Sequence, residues 1–215
     1  MKKSIILLLF VLITAMQVFA DDENFYKVIK IVDGDTLYID FNNNNIPDNN
    51  EKVRVNGIDT METKLNKGLK YQARDYNLTQ REVLGIGYMA KKFAQKELLN
   101  KDVKAVYSAE TQTDAYNRKL MSIYYDCDKD GICKNYEEEV LKAGLAVVYP
   151  YSNLADKLYK YENINKMRDF SSKANRLDLV FIDKETHEYH NIDCKNVEKL
   201  NCYELVEKPI IKYKI

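Results

Sequence analysis

Residues 25 to 40, FYKVIKIVDGDTLYID, alternate apolar and polar positions on both sides of an Asp-Gly step. That period of two predicts a pair of strands joined by a tight connection. FNNNNIPDNNEK, residues 41 to 52, is a polar, Asn-rich loop, and VRVNGI is a third strand. Residues 64 to 82 are polar and irregular, which fits a loop or a short helix. From Gly87 onward, YMAKKFAQKELL carries apolar residues at 89, 90, 93, 94 and 98, a helical period. DVKAVYS and RKLMSIYYD read as two more strands. NYEEEVLKAGLA predicts a second helix, with its acids first and Gly144 near its end. ADKLYKYENINKMRDFSSKA predicts a third, with Leu158, Ile164 and Met167 roughly on one face. A new strand-like run, starting LDLVFID, then opens the last part of the chain.

Three strands, a helix, two strands and two helices lack the regular alternation of a parallel sheet. Short strands and tight turns predict a small closed barrel with attached helices, an α+β fold that is mainly β. The first 20 residues form a separate segment. Lys2 and Lys3 precede an apolar run from Ile5 to Ala15, and small residues Val18 and Ala20 follow, the three-part pattern of a secretory signal peptide. The apolar run is too short for a comfortable membrane span, and no Cys follows Ala20 to carry a lipid. The expected organisation is a signal peptide at 1–20, a barrel domain at 21–177 and a C-terminal extension at 178–215. The expected product is exported, either secreted or periplasmic.

Charge narrows the function. Lys and Arg number 33, as do Asp and Glu, so the formal net charge is 0. A passive nucleic-acid binder is expected to be strongly basic. Any nucleic-acid contact here must rest on locally placed Arg and Lys or on a metal ion. The chain has 17 Tyr and no Trp, and Tyr can stack on bases or fill a core.

Two acidic turns carry the candidate chemistry. Asp33 and Asp35 lie in VDGDT, and Asp59 and Glu62 lie at the end of VRVNGIDTMET. If strands two and three are neighbours, these carboxylates can meet. Such hard oxygen ligands, with a backbone carbonyl such as that of Thr60, suit Ca2+ or Mg2+. Arg54 and Arg118 converging on the same place would suit a phosphate, because guanidinium binds phosphate oxygens in bidentate fashion. Metal ligands, two phosphate clamps and a spare carboxylate together make a phosphodiesterase site.

VDGDT, VRVNGIDTMET, TDAYNRKL and GLAVVYPY, in that order and spacing, resemble the staphylococcal nuclease (thermonuclease) family over about residues 26 to 177. The resemblance implies a five-stranded oligonucleotide-binding (OB-fold) barrel with three helices and Ca2+-dependent hydrolysis of DNA and RNA. By resemblance, Asp35 and Asp59 are calcium carboxylates, Thr60 is the carbonyl ligand, and Glu62 orients or deprotonates the attacking water. Arg54 and Arg118 resemble the phosphate-binding arginines. Tyr116 and Tyr149 resemble the nucleotide-contacting tyrosines, with Tyr151 a further candidate on the same stretch. The chain departs from the family at Met61, where a proline is usual, and at Ala115, where a basic residue is. Its 64–86 segment is also longer than in the family's best-known member. The implied reading is an exported, monomeric endonuclease that prefers single-stranded substrate and has little sequence specificity. The rival is a non-catalytic OB-fold nucleic-acid-binding protein, which would need no acid cluster.

Other residues compete for metal. DCDKDGICKNYE fits the spacing of a twelve-residue calcium loop, with Asp126, Asp128, Asp130 and Glu137 at positions one, three, five and twelve. A strand before it and a Cys127–Cys133 bond would argue instead for an acidic hairpin. DFNNNNIPDNNE, residues 40 to 51, has the same acid spacing with Asn substitutions and no Gly. The four Cys fall into two close pairs, 127 with 133 and 194 with 202, which in an exported chain read as two short disulfides. Cys194 and Cys202 with His187 and His190 are alternatively four zinc ligands.

Overall fold

A computed structural model describes residues 24–108, 111–192 and 203–208. The predicted signal peptide, Cys194 and Cys202 lie outside the described residues. Strands β1 (Phe25–Ile31) and β2 (Thr36–Asp40) form the antiparallel pair predicted around Asp-Gly. A loop ending in a 3-10 turn at Asn49–Glu51 leads to β3 (Lys52–Val55), which pairs antiparallel with β2 and aligns Arg54 with Thr36. The predicted third strand ends there. Asn56 and Gly57 make a turn, with Gly57 at φ +87°, the left-handed region where a Cβ would be strained. The chain resumes as β4 (Ile58–Thr60) and leaves the barrel.

Helix α1 (Lys67–Asp75) fills part of the predicted irregular stretch, and α2 (Gln80–Leu98) follows. Helix α2 begins at Gln80 rather than near Gly87. Thr79 and Glu82 form a capping box, with the Glu82 N–H donating to Thr79 Oγ1 at 3.2 Å and the Thr79 N–H to Glu82 Oε2 at 2.7 Å. This satisfies donors that a helix start otherwise leaves unpaired.

Strands β5 (Asp102–Tyr107) and β6 (Lys119–Tyr125) complete the barrel. β1 pairs with β2 and β5, β5 with β6, and β3 with β6 in parallel, which closes the ring. Closure leaves no long open edge between these five strands. The inward positions Val28, Leu37, Ile39, Val53, Val103 and Ile123 are buried in the core. A disulfide joins Cys127 to Cys133. It spans the turn between β6 and the two-residue β7 (Lys134–Asn135).

Helix α3 (Tyr136–Lys142) leads to β8 (Ala146–Val148), the antiparallel partner of β4. The third predicted helix is two helices, α4 (Ala155–Leu158) and α5 (Ile164–Ala174), which with α1 makes five helices among the described residues rather than three. The break lies at Glu162, whose backbone is extended. Its Oε1 accepts the Val148 N–H at 2.6 Å, which satisfies a sheet donor instead of continuing the helix. Beyond α5, β9 (Leu179–Asp183) pairs with β10 (Tyr189–Asn191) on one side and β11 (Tyr203–Glu207) on the other. Phe181 and Leu205 from this sheet join the same buried core. Lys91 of α2 also pairs with Glu204 of β11 at 2.6 Å. No helix among the described residues is long and apolar enough to cross a membrane.

Candidate active site

The β1–β2 turn brings Asp33 and Asp35 beside Arg54, because β2 and β3 are direct neighbours. The Gly57 turn then folds β4 back so that Asp59 reaches the same guanidinium. Arg54 forms an ion pair with Asp35 Oδ1, another with Asp59 Oδ1 at 2.8 Å, and donates to the Ile58 carbonyl at 3.0 Å. Two carboxylates from different turns thus converge on one cationic group. The other oxygen of Asp35 accepts from the N–H and Oγ1–H of Thr60, at 2.7 and 2.8 Å.

Asp33, Asp35, Asp59, Glu62, Arg54 and Arg118 all line one pocket of about 130 Å³. Burial raises the Asp33 carboxyl above its usual range, opposed by Arg54. Burial likewise raises Glu62, and its hydrogen bond from Asn66 opposes this. Arg118 is aimed by Asp114, which accepts from its Nε at 2.7 Å and from its backbone N–H at 2.9 Å. Arg118 Nη1 also donates to Thr36 Oγ1 at 3.2 Å.

Both arginines also line a larger cleft of about 640 Å³ with Tyr116, Tyr149 and Tyr151. Tyr116 and Tyr151 are 82% and 84% exposed, and the Arg118 guanidinium lies over the Tyr116 ring, 5.4 Å from its centroid. Tyr149 meets Tyr151 edge to face, with ring centroids 5.5 Å apart. The arginines therefore separate an acidic pocket from an aromatic cleft.

Staphylococcal nuclease homologues match residues 52–178. This chain belongs to that family. An uncharacterized protein of Methanocaldococcus jannaschii is 38% identical over 162 residues, covering 73% of this chain and 72% of the relative. As a staphylococcal nuclease homologue, the chain has a nuclease-like domain on a closed OB-like barrel, and nucleic acid is the family's substrate.

Within this nuclease homologue, two contributors to the site went unmarked in the sequence reading. Asp114 had a faint signal, since it precedes Arg118 by one i,i+4 step. Gln72 had none. Its side chain, 8% exposed, donates to Asp59 Oδ2 and to the Thr60 carbonyl, both at 3.1 Å, and accepts the Glu62 N–H at 2.8 Å. One amide thus holds three residues of the acidic turn. Met61 stands in place of the usual proline and is 1% exposed, so its side chain anchors the turn in the core. A Cβ on Gly87 of α2 would fall 2.5 Å from the carbonyl oxygens of both Met61 and Glu62. Glycine there lets the helix press directly against the turn.

The donor set of Asp35, Asp59 and the Thr60 carbonyl is all hard oxygen, with both carboxylates on the Arg54 guanidinium, and fits Ca2+ in kind. Among the described residues, no three His, Cys, Asp or Glu side chains close into a ready-made ligand cluster. Here Arg54 and Gln72 occupy the oxygens instead.

The acidic loop at 126–137 does not gather its four residues. Asp126 pairs with Lys101 and Lys134, each at 3.0 Å. Asp128 accepts backbone N–H groups of Asp130 and Ile132. Glu137 turns into the barrel and accepts the Ile123 N–H. His187 lies in the β9–β10 turn and His190 in β10, while the Cys that would complete a zinc set lie outside the described residues.

Proposed function

We propose that this protein is an exported, Ca2+-dependent endonuclease that hydrolyses DNA and RNA with little sequence preference. The observation that carries the reading is the placement of Arg54 and Arg118 as the shared wall between the carboxylate pocket and the tyrosine cleft. A phosphodiester lying against that wall would have its phosphate on the two guanidiniums and a flanking base over Tyr116, Tyr149 or Tyr151. Single strands suit the cleft, since their bases are free to stack.

Asp35, Asp59 and the Thr60 carbonyl would hold the calcium ion, which when bound supplies positive charge against the phosphate oxygens. Glu62 orients a water towards phosphorus and accepts its proton. The burial that raises its carboxyl makes it a better base than an exposed glutamate. Arg54 and Arg118 neutralise the charge that builds on the equatorial oxygens, and the leaving oxygen departs on the opposite side. The export reading rests on the pattern of residues 1–20. The protein acts as a monomer in this reading.

Digestion of single-stranded DNA with Ca2+ and with EGTA tests this directly. Activity is expected only with Ca2+. Glu62→Ala, Arg54→Ala and Arg118→Ala should each lose about 100-fold or more in kcat/KM. Equal cutting by Glu62→Ala and wild type would sink the mechanism. Tight binding without cutting would favour a non-catalytic OB-fold binder.

A further inference from the structure

We infer that the loop at residues 40–51 is a calcium site separate from the candidate active site. DFNNNNIPDNNE places Asp40, Asn42, Asn44, Asp48 and Glu51 at positions one, three, five, nine and twelve of a twelve-residue calcium loop. Position seven, which contributes a backbone carbonyl in such loops, is Ile46. Position six, usually glycine, is Asn45, which holds φ +57°. Asn is a non-glycine residue that adopts this left-handed conformation readily, so the missing glycine does not prevent the turn.

Glu51 supplies the independent observation. It is 2% exposed, and its carboxylate lies within the loop, where Oε1 accepts the Asn42 N–H at 3.3 Å. Its Oε2 is buried and has no hydrogen-bond partner. A buried carboxylate oxygen without a donor takes up a proton or a cation. Glu137 Oε1 is unpartnered too, but that carboxylate faces the barrel, whereas Glu51 lies in a loop of further oxygen ligands. Among the described residues no Lys or Arg forms an ion pair with Asp40, Asp48 or Glu51, and residues 40–51 contain no Lys or Arg. Asp40, also 2% exposed, accepts the Asn44 and Asn45 N–H groups, one on each oxygen. Each oxygen keeps a second lone pair for a metal. Asn42, Asn44 and Asp48 each accept one backbone N–H of the loop, and Asp48 Oδ2 also accepts from Asn42 Nδ2 at 3.2 Å.

The similarly spaced loop at 126–137 makes the contrast. There the position-one Asp is neutralised by two lysines, and the position-twelve Glu points away into the barrel. In 40–51 the position-twelve Glu points inward and is not neutralised. The ligand set would be three carboxylates, two amide oxygens and a carbonyl, drawn together on binding, since the three carboxylates are not already gathered into a cluster. Irregular, oxygen-only ligation of this kind suits Ca2+ over Mg2+, and the low charge count predicts a dissociation constant on the order of 10⁻⁴ M. The loop joins β2 to β3, so calcium there would clamp the far end of the hairpin that carries Asp35 and Arg54.

Calorimetric titration of the purified full chain with CaCl2 tests the site, and the Asp35→Ala/Asp59→Ala variant isolates it from the active-site ion. That variant should still bind one Ca2+ per chain. Adding Glu51→Gln should abolish this binding, and adding Asn44→Asp instead should tighten it severalfold, because a fourth carboxylate joins the set. Circular dichroism in EGTA checks that each variant is folded. The Asn44→Asp arm keeps the test open if Glu51→Gln does not fold. The proposal is overturned if the Asp35→Ala/Asp59→Ala variant binds no Ca2+, if Glu51→Gln binds as its parent does, or if Asn44→Asp leaves affinity unchanged. A wild-type stoichiometry of one, abolished by Glu51→Gln, would support this site and count against the active-site ion.

Discussion

Gln72 holds the acidic turn by one side chain, touching Asp59, Thr60 and Glu62 together. Gln72→Leu keeps the volume and removes all three hydrogen bonds. Steady-state kinetics on single-stranded DNA should show kcat lower by about 10- to 100-fold with KM near wild type, the signature of lost aim rather than lost binding. Glu137 offers a second test at this scale. It is 1% exposed, and burial pushes its carboxyl up to about 7. The folded state therefore holds a proton there that the unfolded chain releases near the ordinary value of 4.5. Its contribution to stability is full below about pH 4.5 and is lost as pH rises to about 7, a change on the order of 3 kcal/mol. Denaturant melts of wild type and Glu137→Gln across pH 4 to 8 should differ by that slope. Parallel curves would mean Glu137 titrates normally.

At the scale of elements, the site depends on how closely α2 approaches the acidic turn. Gly87→Ala would put a methyl 2.5 Å from the carbonyl oxygens of Met61 and Glu62. Either the helix or the turn must move, and a misplacement near 1 Å costs about 100-fold in rate. The expected outcome is a folded protein, by circular dichroism, with kcat reduced at least tenfold. Unchanged kcat would mean that Glu62 is not aimed by this contact. The elements also mark where periodicity stopped being informative. VRVNGIDT reads as one strand with a charged end, yet it is two short strands in different sheets, because Gly57 turns the chain out of the barrel. The residues of 64–82 have no clean period, so the helix that carries Gln72 was only one of two readings there. ADKLYKYENINKMRDFSSKA has a continuous apolar face, but Glu162 is drawn away to cap β8, and no local pattern signals a partner so distant in sequence.

At the scale of the whole molecule, the barrel and the β9–β11 sheet share a core. Phe181 has no exposed surface and packs edge to face with Tyr203, ring centroids 4.9 Å apart. Phe181→Ala should cost about 3–5 kcal/mol. Because the core is continuous, urea unfolding should remain a single transition with a lower midpoint. Two transitions, or a barrel midpoint that does not move, would mean that the sheet folds on its own. The near-zero net charge also acts at this scale. With no general basic field, the proposed substrate contact would fall to local groups, above all Arg54 and Arg118, which line both the pocket and the cleft.

The sequence by itself determined the barrel, since alternating short strands with tight turns bury a face only by closing on themselves. It also marked which charged groups would gather, because Asp, Glu and Arg in those turns are costly unless they meet partners. Tertiary structure alone decided how the groups meet. Whether Glu51 points into its loop and Glu137 away from its own depends on which distant backbone donors and cations lie nearby, and the spacing of the two loops is the same. The role of Gln72 likewise exists only because α1 packs against a turn ten residues back, where one buried amide finds three polar groups that need it.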